Sequence, residues 1–108
     1  MKTVEVVMVP VADQQKAKEF YLKLGFVVIA EAPMGNGETW LQVGLPGHDT
    51  TISLAAFHGI VFETADIEKE AAAIKAKGIK VEKIDDTPWG RFAWLKDLDG
   101  NGLCLHQK

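Results

Sequence analysis

The chain has 108 residues, of which 47% are hydrophobic and 25% are charged, and its net charge at pH 7 is −3. This length and composition predict one folded domain, or two half-size modules sharing one core, and exclude a disordered chain. Twelve basic residues against fifteen acidic ones, with no basic block, give no electrostatic basis for nucleic-acid binding. No apolar run approaches the roughly 20 residues that a membrane span requires.

The first twenty-five residues predict a strand followed by a helix. Residues 3–11 are β-branched and alternate, and they lack the small-residue cleavage site of a signal peptide. Asp13 is a typical N-cap and Gly25 a typical helix stop, because its backbone tolerates positive φ. Apolar residues recur between them at helical spacing, on one face: Ala17, Phe20, Tyr21 and Leu24.

The remaining segments alternate between strand and turn signals. Asn36-Gly37 is a strong hairpin signal, and Asp66 and Gly78 bound a second helix. Further strands are predicted at 26–30, 39–43, 50–57, 60–64, 79–84, 91–96 and 103–106.

The two helices belong to an internal repeat. Three pairs of positions are 53 residues apart: Asp13 and Asp66, Gly25 and Gly78, and Val28 and Val81. The repeat predicts two β-α-β-β-β modules, residues 1–58 and 59–108, in a single α+β domain. One module cannot bury both its helix and its sheet well, so two modules must pair, within one chain or between chains.

Three sets of motifs carry a family resemblance: Val11-Ala12-Asp13, Phe20-Tyr21 with Leu24-Gly25-Phe26, and Pro88-Trp89-Gly90-Arg91 with Asp97-Leu98-Asp99-Gly100-Asn101. In this order they resemble the vicinal-oxygen-chelate superfamily, which includes glyoxalase I, extradiol dioxygenases and bleomycin-resistance proteins. The resemblance implies paired βαβββ modules whose mixed sheets curl around a cavity, with the helices outside. Leu98 stands where the family usually has proline, which only stiffens the turn.

The same resemblance bears on metal binding. Metal-dependent members use His, Gln or Glu from the first, fourth, fifth and last strands of the fold. The corresponding positions here are Val6, Ser53, Gly59 and Cys104, and none of these is His, Gln or a carboxylate. The resemblance is therefore closest to the metal-free bleomycin-resistance-like branch, without a cofactor. The alternative is a glyoxalase-like lyase or isomerase, or a dioxygenase, with an atypical metal site at His58, His106 or Glu63.

The segment DLDGNG copies the start of a calcium loop. Position twelve of that loop should be a bidentate Glu, and here it is Lys108. Alternation after Gly102 indicates a strand, so the segment is interpreted as a tight turn without calcium.

Strand alternation predicts which side chains face the cavity, since apolar partners should pack under the helices. Trp40, Gln42 and Ser53 are expected to face inward. Cys104 and His106 share one face of the last strand, so a thiolate–imidazole pair is conceivable, although a cysteine lining a cavity is the commoner role. The predicted ligand-binding residues are Trp40, Gln42, Ser53, Glu63, Trp89, Arg91, Trp94, Cys104 and His106.

These features predict a metal-free small-molecule-binding protein that resembles bleomycin-resistance proteins and sequesters a planar or cationic ligand in an aromatic-lined cavity. A homodimer is expected because pairing covers exposed sheet edges, and light scattering would test it. A single cysteine excludes an internal disulfide and makes a reducing cytoplasm the default location. An accessory module that binds another protein is a third possibility.

Overall fold

The computed structural model describes residues 1–35 and 37–108, so the predicted turn residue Asn36 lies outside the described residues. The chain forms two compact units. The N-terminal unit is Val6–His58, and the C-terminal unit is Gly59–Lys108 together with Met1–Glu5. Strand β1 (Thr3–Pro10) contributes its first three residues to the C-terminal unit and its remainder to the N-terminal one.

Each unit follows the order β-α-β-β-β, which confirms the α+β class and the repeated βαβββ plan. The N-terminal unit continues with α1 (Gln14–Lys23), β2 (Val27–Pro33), β3 (Thr39–Gly44) and β4 (Thr51–Ala55). The C-terminal unit contains β5 (Gly59–Glu63), α2 (Ile67–Ala76), β6 (Asp85–Thr87), β7 (Gly90–Lys96) and β8 (Gly102–Gln107). In the described residues no helix is long and apolar enough to cross a membrane.

The two helices obey the same local signals. Asp13 accepts a hydrogen bond from the backbone N–H of Lys16 at 3.1 Å, and Asp66 accepts one from that of Lys69 at 3.1 Å, so both predicted N-caps are confirmed. Gly25 and Gly78 follow the two helices with φ of 104° and 85°, which confirms both predicted stops.

In the N-terminal unit the strand order is β2-β3-β4-β1, with β1 and β4 parallel and the other pairs antiparallel. Helix α1 lies on the face that carries Glu31, because Gln15 and Lys18 both donate hydrogen bonds to that carboxylate. Leu41 is the register partner of Glu31 and is fully buried. The opposite face of this sheet is therefore free of α1.

The apolar stripe expected on α1 is only partly used for packing. Phe20 and Leu24 are 60% and 58% exposed, so these two residues of the stripe stay largely outside the core. Gln14 connects α1 to the sheet, because its amide donates to the carbonyl oxygens of Thr39 at 2.9 Å and Leu54 at 2.7 Å. Tyr21 faces Phe26 edge-on at 5.2 Å between ring centroids and is half-buried.

In the C-terminal unit the strand order is β5-β8-β7-β6, with β5 and β8 parallel. Helix α2 packs its Ile67 and Ala71 against Ala93 of β7 and Leu105 of β8. The side-chain oxygen of Gln107 accepts a hydrogen bond from the backbone N–H of Ile67 at 2.8 Å. This contact fixes the start of α2 against β8.

The strand predicted at 79–84 is wrong in position. Only Val81 of that stretch pairs, as an isolated bridge to Leu95, and the strand itself is β6, three residues long. The register Thr87↔Gly90 places the ladder directly against the Pro88-Trp89 corner, so pairing starts at the corner. Val81 remains buried because it belongs to the core beneath α2.

The segment that resembles a calcium loop forms the turn between β7 and β8. Asp97 accepts hydrogen bonds from the backbone N–H groups of Asp99 and Asn101, each at 2.9 Å, and from the Asn101 amide at 2.9 Å. These bonds, that of the Asn101 side chain first, hold the pKa of Asp97 below its usual range. Gly100 supplies the positive φ of 84° that this turn requires.

Candidate functional site

The face of the N-terminal sheet opposite α1 carries a row of polar and aromatic side chains. Register pairs Gln42 with Ser53 and Ser53 with Met8, and Trp40 precedes Gln42 by two residues on the same strand. We refer to Trp40, Gln42, Thr51, Ser53 and Met8 as the Ser53 face. Three of the predicted ligand-binding residues are therefore brought together here.

Two hydrogen bonds order this face. The indole N–H of Trp40 donates to Oε1 of Gln42 at 2.9 Å, and Nε2 of Gln42 donates to Oγ1 of Thr51 at 2.7 Å. The first bond fixes the orientation of the Trp40 ring, which is half-buried, and the second fixes the amide. The indole therefore presents a flat apolar surface in a defined position.

The hydroxyl of Ser53 is the unusual group of this face. It is only 1% exposed, and in the part of the chain that the structure describes it has no hydrogen-bond partner. A buried hydroxyl without a partner costs about 1–3 kcal/mol, so such groups are normally satisfied by protein, water or a ligand. In the described residues the Ser53 hydroxyl is therefore an unused hydrogen-bonding group on this face.

The C-terminal unit has its own cluster around His106, formed by His106, Glu5, Trp89 and Phe92. Nδ1 of His106 lies 2.6 Å from Oε1 of Glu5, and Nε2 lies 2.9 Å from the backbone oxygen of Trp89. The ring stacks on Phe92 with centroids 4.3 Å apart and planes 2° from parallel. We call these four residues the His106 cluster.

His106 is held by partners at both ring nitrogens. A backbone carbonyl only accepts hydrogen bonds, so Nε2 donates to the Trp89 oxygen. Nδ1 is occupied by its contact with the Glu5 carboxylate. Both ring nitrogens are thus engaged, and a metal ion could bind His106 only after one of these contacts breaks.

The atypical metal site has little support from the other candidates. His58 is exposed, and Glu63 pairs with Lys2 at 3.6 Å and with Lys108 at 3.8 Å. Among residues 1–35 and 37–108, no three His, Cys, Asp or Glu side chains form a group that could hold a metal ion.

Gly90 allows the corner to approach His106 closely. Its φ is 124°, and a Cβ built there would lie 2.7 Å from Nε2 of His106 and 2.5 Å from the backbone oxygen of Gln107. Oγ1 of Thr87 donates to the carbonyl of Gly90 at 2.7 Å and accepts from the backbone N–H of Trp89 at 3.2 Å. The corner is thus tightly held, while the Trp89 residue is 68% exposed.

Cys104 and Trp94 face each other across β7 and β8, and Val61 is the partner of Cys104 on β5. Cys104 is fully buried, and this burial raises the pKa of its thiol to about 12. The thiol stays protonated at neutral pH and is a poor nucleophile. This environment favours the structural role of Cys104 over the thiolate–imidazole pair with His106.

The raised pKa predicts a specific pH dependence of stability. An unfolded thiol ionises above its ordinary pKa of 9.0, whereas the folded thiol stays neutral up to about 12. The contribution of Cys104 to the free energy of unfolding is therefore complete below pH 9 and falls by up to about 1.4 kcal/mol per pH unit above it. Urea denaturation at pH 8, 9.5 and 10.5 should show a steeper decline for the wild type than for Cys104→Ala. Equal slopes would contradict the prediction.

Arg91 lies apart from the other predicted ligand-binding residues. Arg91 lies on the same face of β7 as Ala93, under α2. Its guanidinium donates hydrogen bonds to the carboxylates of Glu68 at 3.0 Å and Asp86 at 2.8 Å. These two carboxylates, Glu68 first, raise the pKa of Arg91 above its usual value. Arg91 therefore joins α2 to β6 and does not reach the face of β7 and β8 that carries His106.

The predicted residues thus divide between separate surfaces. The N-terminal unit groups Trp40, Gln42 and Ser53, while β5, β7 and β8 place Glu63, Trp94, Cys104 and His106 on one face of the C-terminal unit. Sequence reasoning did not identify Glu5, Thr51 or Phe92. Alternation from Trp94 could have identified Phe92, whereas Glu5 is 101 residues from His106 and carries no local signal.

The fold and the comparisons with known proteins indicate the same protein superfamily. Two βαβββ units, each with a parallel pair formed by its first and last strands, define an α+β protein of paired modules. A sequence profile of the Glyoxalase/Bleomycin resistance protein/Dioxygenase superfamily matches residues 3–105. The chain belongs to this superfamily, which confirms the family resemblance of its motifs.

Several individual proteins are similar to the chain. The uncharacterized protein YetH of Bacillus subtilis (strain 168) is 35% identical over 119 residues, which covers 99% of both chains. TnmS3, an antibiotic binding protein from Streptomyces sp. CB03234, is 36% identical, and the alignment covers 99% of this chain and 96% of TnmS3, with a TM-score of 0.47. Methylmalonyl-CoA epimerase from Mycobacterium tuberculosis shares the fold, with a TM-score of 0.79 and 17% identity. That alignment covers 96% of this chain and 86% of the epimerase.

Proposed function

We propose that the chain is a small-molecule-binding protein that sequesters a planar or cationic ligand, as the bleomycin-resistance proteins of its superfamily do. The observation that carries this proposal is the buried Ser53 hydroxyl, which lacks a partner in the described residues and lies beside Gln42 and Trp40. An apolar surface with a few placed polar groups is the usual composition of a small-molecule site.

The chemistry of the His106 cluster supports binding without turnover. Both nitrogens of His106 are engaged, and the Cys104 thiol is protonated, so neither side chain is poised as a base or a nucleophile. The proposal accordingly includes no metal and no cofactor. Trp94 and the exposed Trp89 extend the aromatic surface available in the C-terminal unit.

A homodimer in the cytoplasm completes the proposal. Strand β2 is an edge strand, and its residues Val27, Val28 and Ile29 are between 38% and 51% exposed. An apolar edge of this kind is normally covered in solution.

Binding is expected to depend on Trp40. Isothermal titration with bleomycin-type compounds and with other planar compounds, both cationic and uncharged, should give a saturable site for at least one of them, which Trp40→Leu weakens at least about tenfold, or ~1.4 kcal/mol. Phe20→Leu is the matched control, because it removes an aromatic ring that is 60% exposed on α1. Absence of binding across the whole panel, or equal losses in the two variants, would contradict the proposal.

A further inference from the structure

We infer that the Ser53 face selects uncharged planar molecules that carry a carbonyl beside an N–H, the edge found in lactams and imides. This inference rests on the proposed function and specifies the ligand of the N-terminal unit. It is carried by the unused hydrogen-bonding capacity of two neighbouring side chains and by the lack of charged side chains among the described strand residues of the face.

The hydrogen-bonding capacity is complementary. A serine hydroxyl donates one hydrogen bond and accepts others, and in the described part of the chain that of Ser53 does neither. The Gln42 amide uses one lone pair of Oε1 toward Trp40 and one N–H toward Thr51, which among the described residues leaves a second lone pair and a second N–H. A donor and an acceptor therefore stand next to each other, as a lactam edge requires.

The spacing suits one small group on the ligand. Gln42 and Ser53 are register partners on antiparallel strands, which places their Cβ atoms roughly 4.5–5.5 Å apart. The Ser53 hydroxyl can donate to a carbonyl while the second lone pair of the Gln42 oxygen accepts from the adjacent N–H. The Trp40 indole, bonded to the same amide, offers the apolar surface for the rest of a planar ligand.

The described strand residues of this face offer no charged partner to a cationic ligand. In the described strand residues of β1–β4, those that register places beside Trp40, Gln42 and Ser53 are uncharged, including Ala30, Ala32 and Met8. Glu31 lies on the opposite face, paired with Lys18 at 2.9 Å. A cation buried here would lose its hydration without gaining a carboxylate, which is strongly unfavourable.

The burial of Ser53 gives the binding event a spectroscopic signature. A ligand reaches the hydroxyl only when a neighbouring side chain moves, and Gln42 is the half-exposed neighbour across the strands. Movement of Gln42 alters the hydrogen bond of the Trp40 indole. A shift in tryptophan emission that Trp40→Phe abolishes should therefore accompany binding.

Three bicyclic probes of similar size test the inference: 2-quinolinone, N-methyl-2-quinolinone and N-methylquinolinium. Titration of the whole protein should give at least tenfold tighter binding of 2-quinolinone than of either of the other two. Ser53→Ala should reduce this preference to within about threefold. Gln42→Leu should do the same, whereas Gln15→Leu, the same substitution on α1, should preserve it. Thermal melts should show Ser53→Ala at least as stable as the wild type, because it removes an unpartnered buried hydroxyl.

Each alternative outcome is decisive. If Ser53→Ala leaves the preference unchanged, the hydroxyl only holds a water molecule and the inference is wrong. If N-methylquinolinium binds best and its binding requires Trp40, the result supports the proposed function and contradicts the inference. If neither these probes nor the planar cations bind, both fail.

Discussion

Replacement of Gly90 by alanine is expected to lower the free energy of unfolding by about 3–5 kcal/mol, the range of severe single substitutions. The positive φ of 124° at Gly90 disfavours any side chain, and the added Cβ would lie 2.5 Å from the oxygen of Gln107. The His106 ring would also have to move, since Nε2 is only 2.7 Å from that position. Urea denaturation followed by circular dichroism measures the loss.

Gly100 provides the matched control for this substitution. Its φ is also positive, at 84°, but a Cβ added there meets no described atom within 4 Å. Gly100→Ala should therefore cost only the backbone strain, about 1–2 kcal/mol. Similar losses for Gly90→Ala and Gly100→Ala would show that the corner tolerates a side chain beside His106, contrary to the expectation.

Replacement of His106 by phenylalanine is expected to lower the free energy of unfolding by about 3 kcal/mol. The new ring can still stack on Phe92, but Glu5 loses its partner at 2.6 Å and the Trp89 carbonyl loses its donor. Nζ of Lys108 lies 3.9 Å from the other carboxylate oxygen of Glu5, Oε2, and is a more distant partner than His106. Because the side chain of Glu5 is only 15% exposed, its charge is poorly compensated by water. Chemical denaturation at pH 7 measures the effect.

A double substitution separates this charge effect from packing. Leucine at position 5 removes the carboxylate that has lost its contact with His106, so Glu5→Leu combined with His106→Phe should recover at least about 1 kcal/mol relative to His106→Phe alone. If the double variant is less stable than either single one, the two side chains contribute independently and the pair does not act as a unit.

Local signals were sufficient for the helices and for the repeat. Gln14 and Lys23 bound α1, and Ile67 and Ala76 bound α2, 53 residues later at both ends, as the spacing of Asp13 and Asp66 predicts. An N-cap aspartate and a glycine stop act through their own neighbours, so their effect can be inferred without knowing what packs against the helix. Alternation likewise placed Gln42 beside Ser53, because strand geometry fixes every second side chain.

Long-range contacts decided the features that sequence could not predict. The stripe on α1 is correctly spaced, yet Phe20 and Leu24 stay exposed, and Gln14 makes hydrogen bonds to the sheet that helical spacing does not indicate. Arg91 follows the family motif, but Glu68 of α2 and Asp86 of β6 hold it away from the candidate binding residues. Such partners are distant in sequence and become neighbours only through the strand order.

The contact between Glu5 and His106 has a consequence for the protein as it is synthesised. Glu5 is synthesised 101 residues before its partner. At elongation rates of roughly 5–20 residues per second, the N-terminal segment waits about 5–20 s before the C-terminal unit can incorporate it. The His106 cluster therefore forms only after translation has delivered β8.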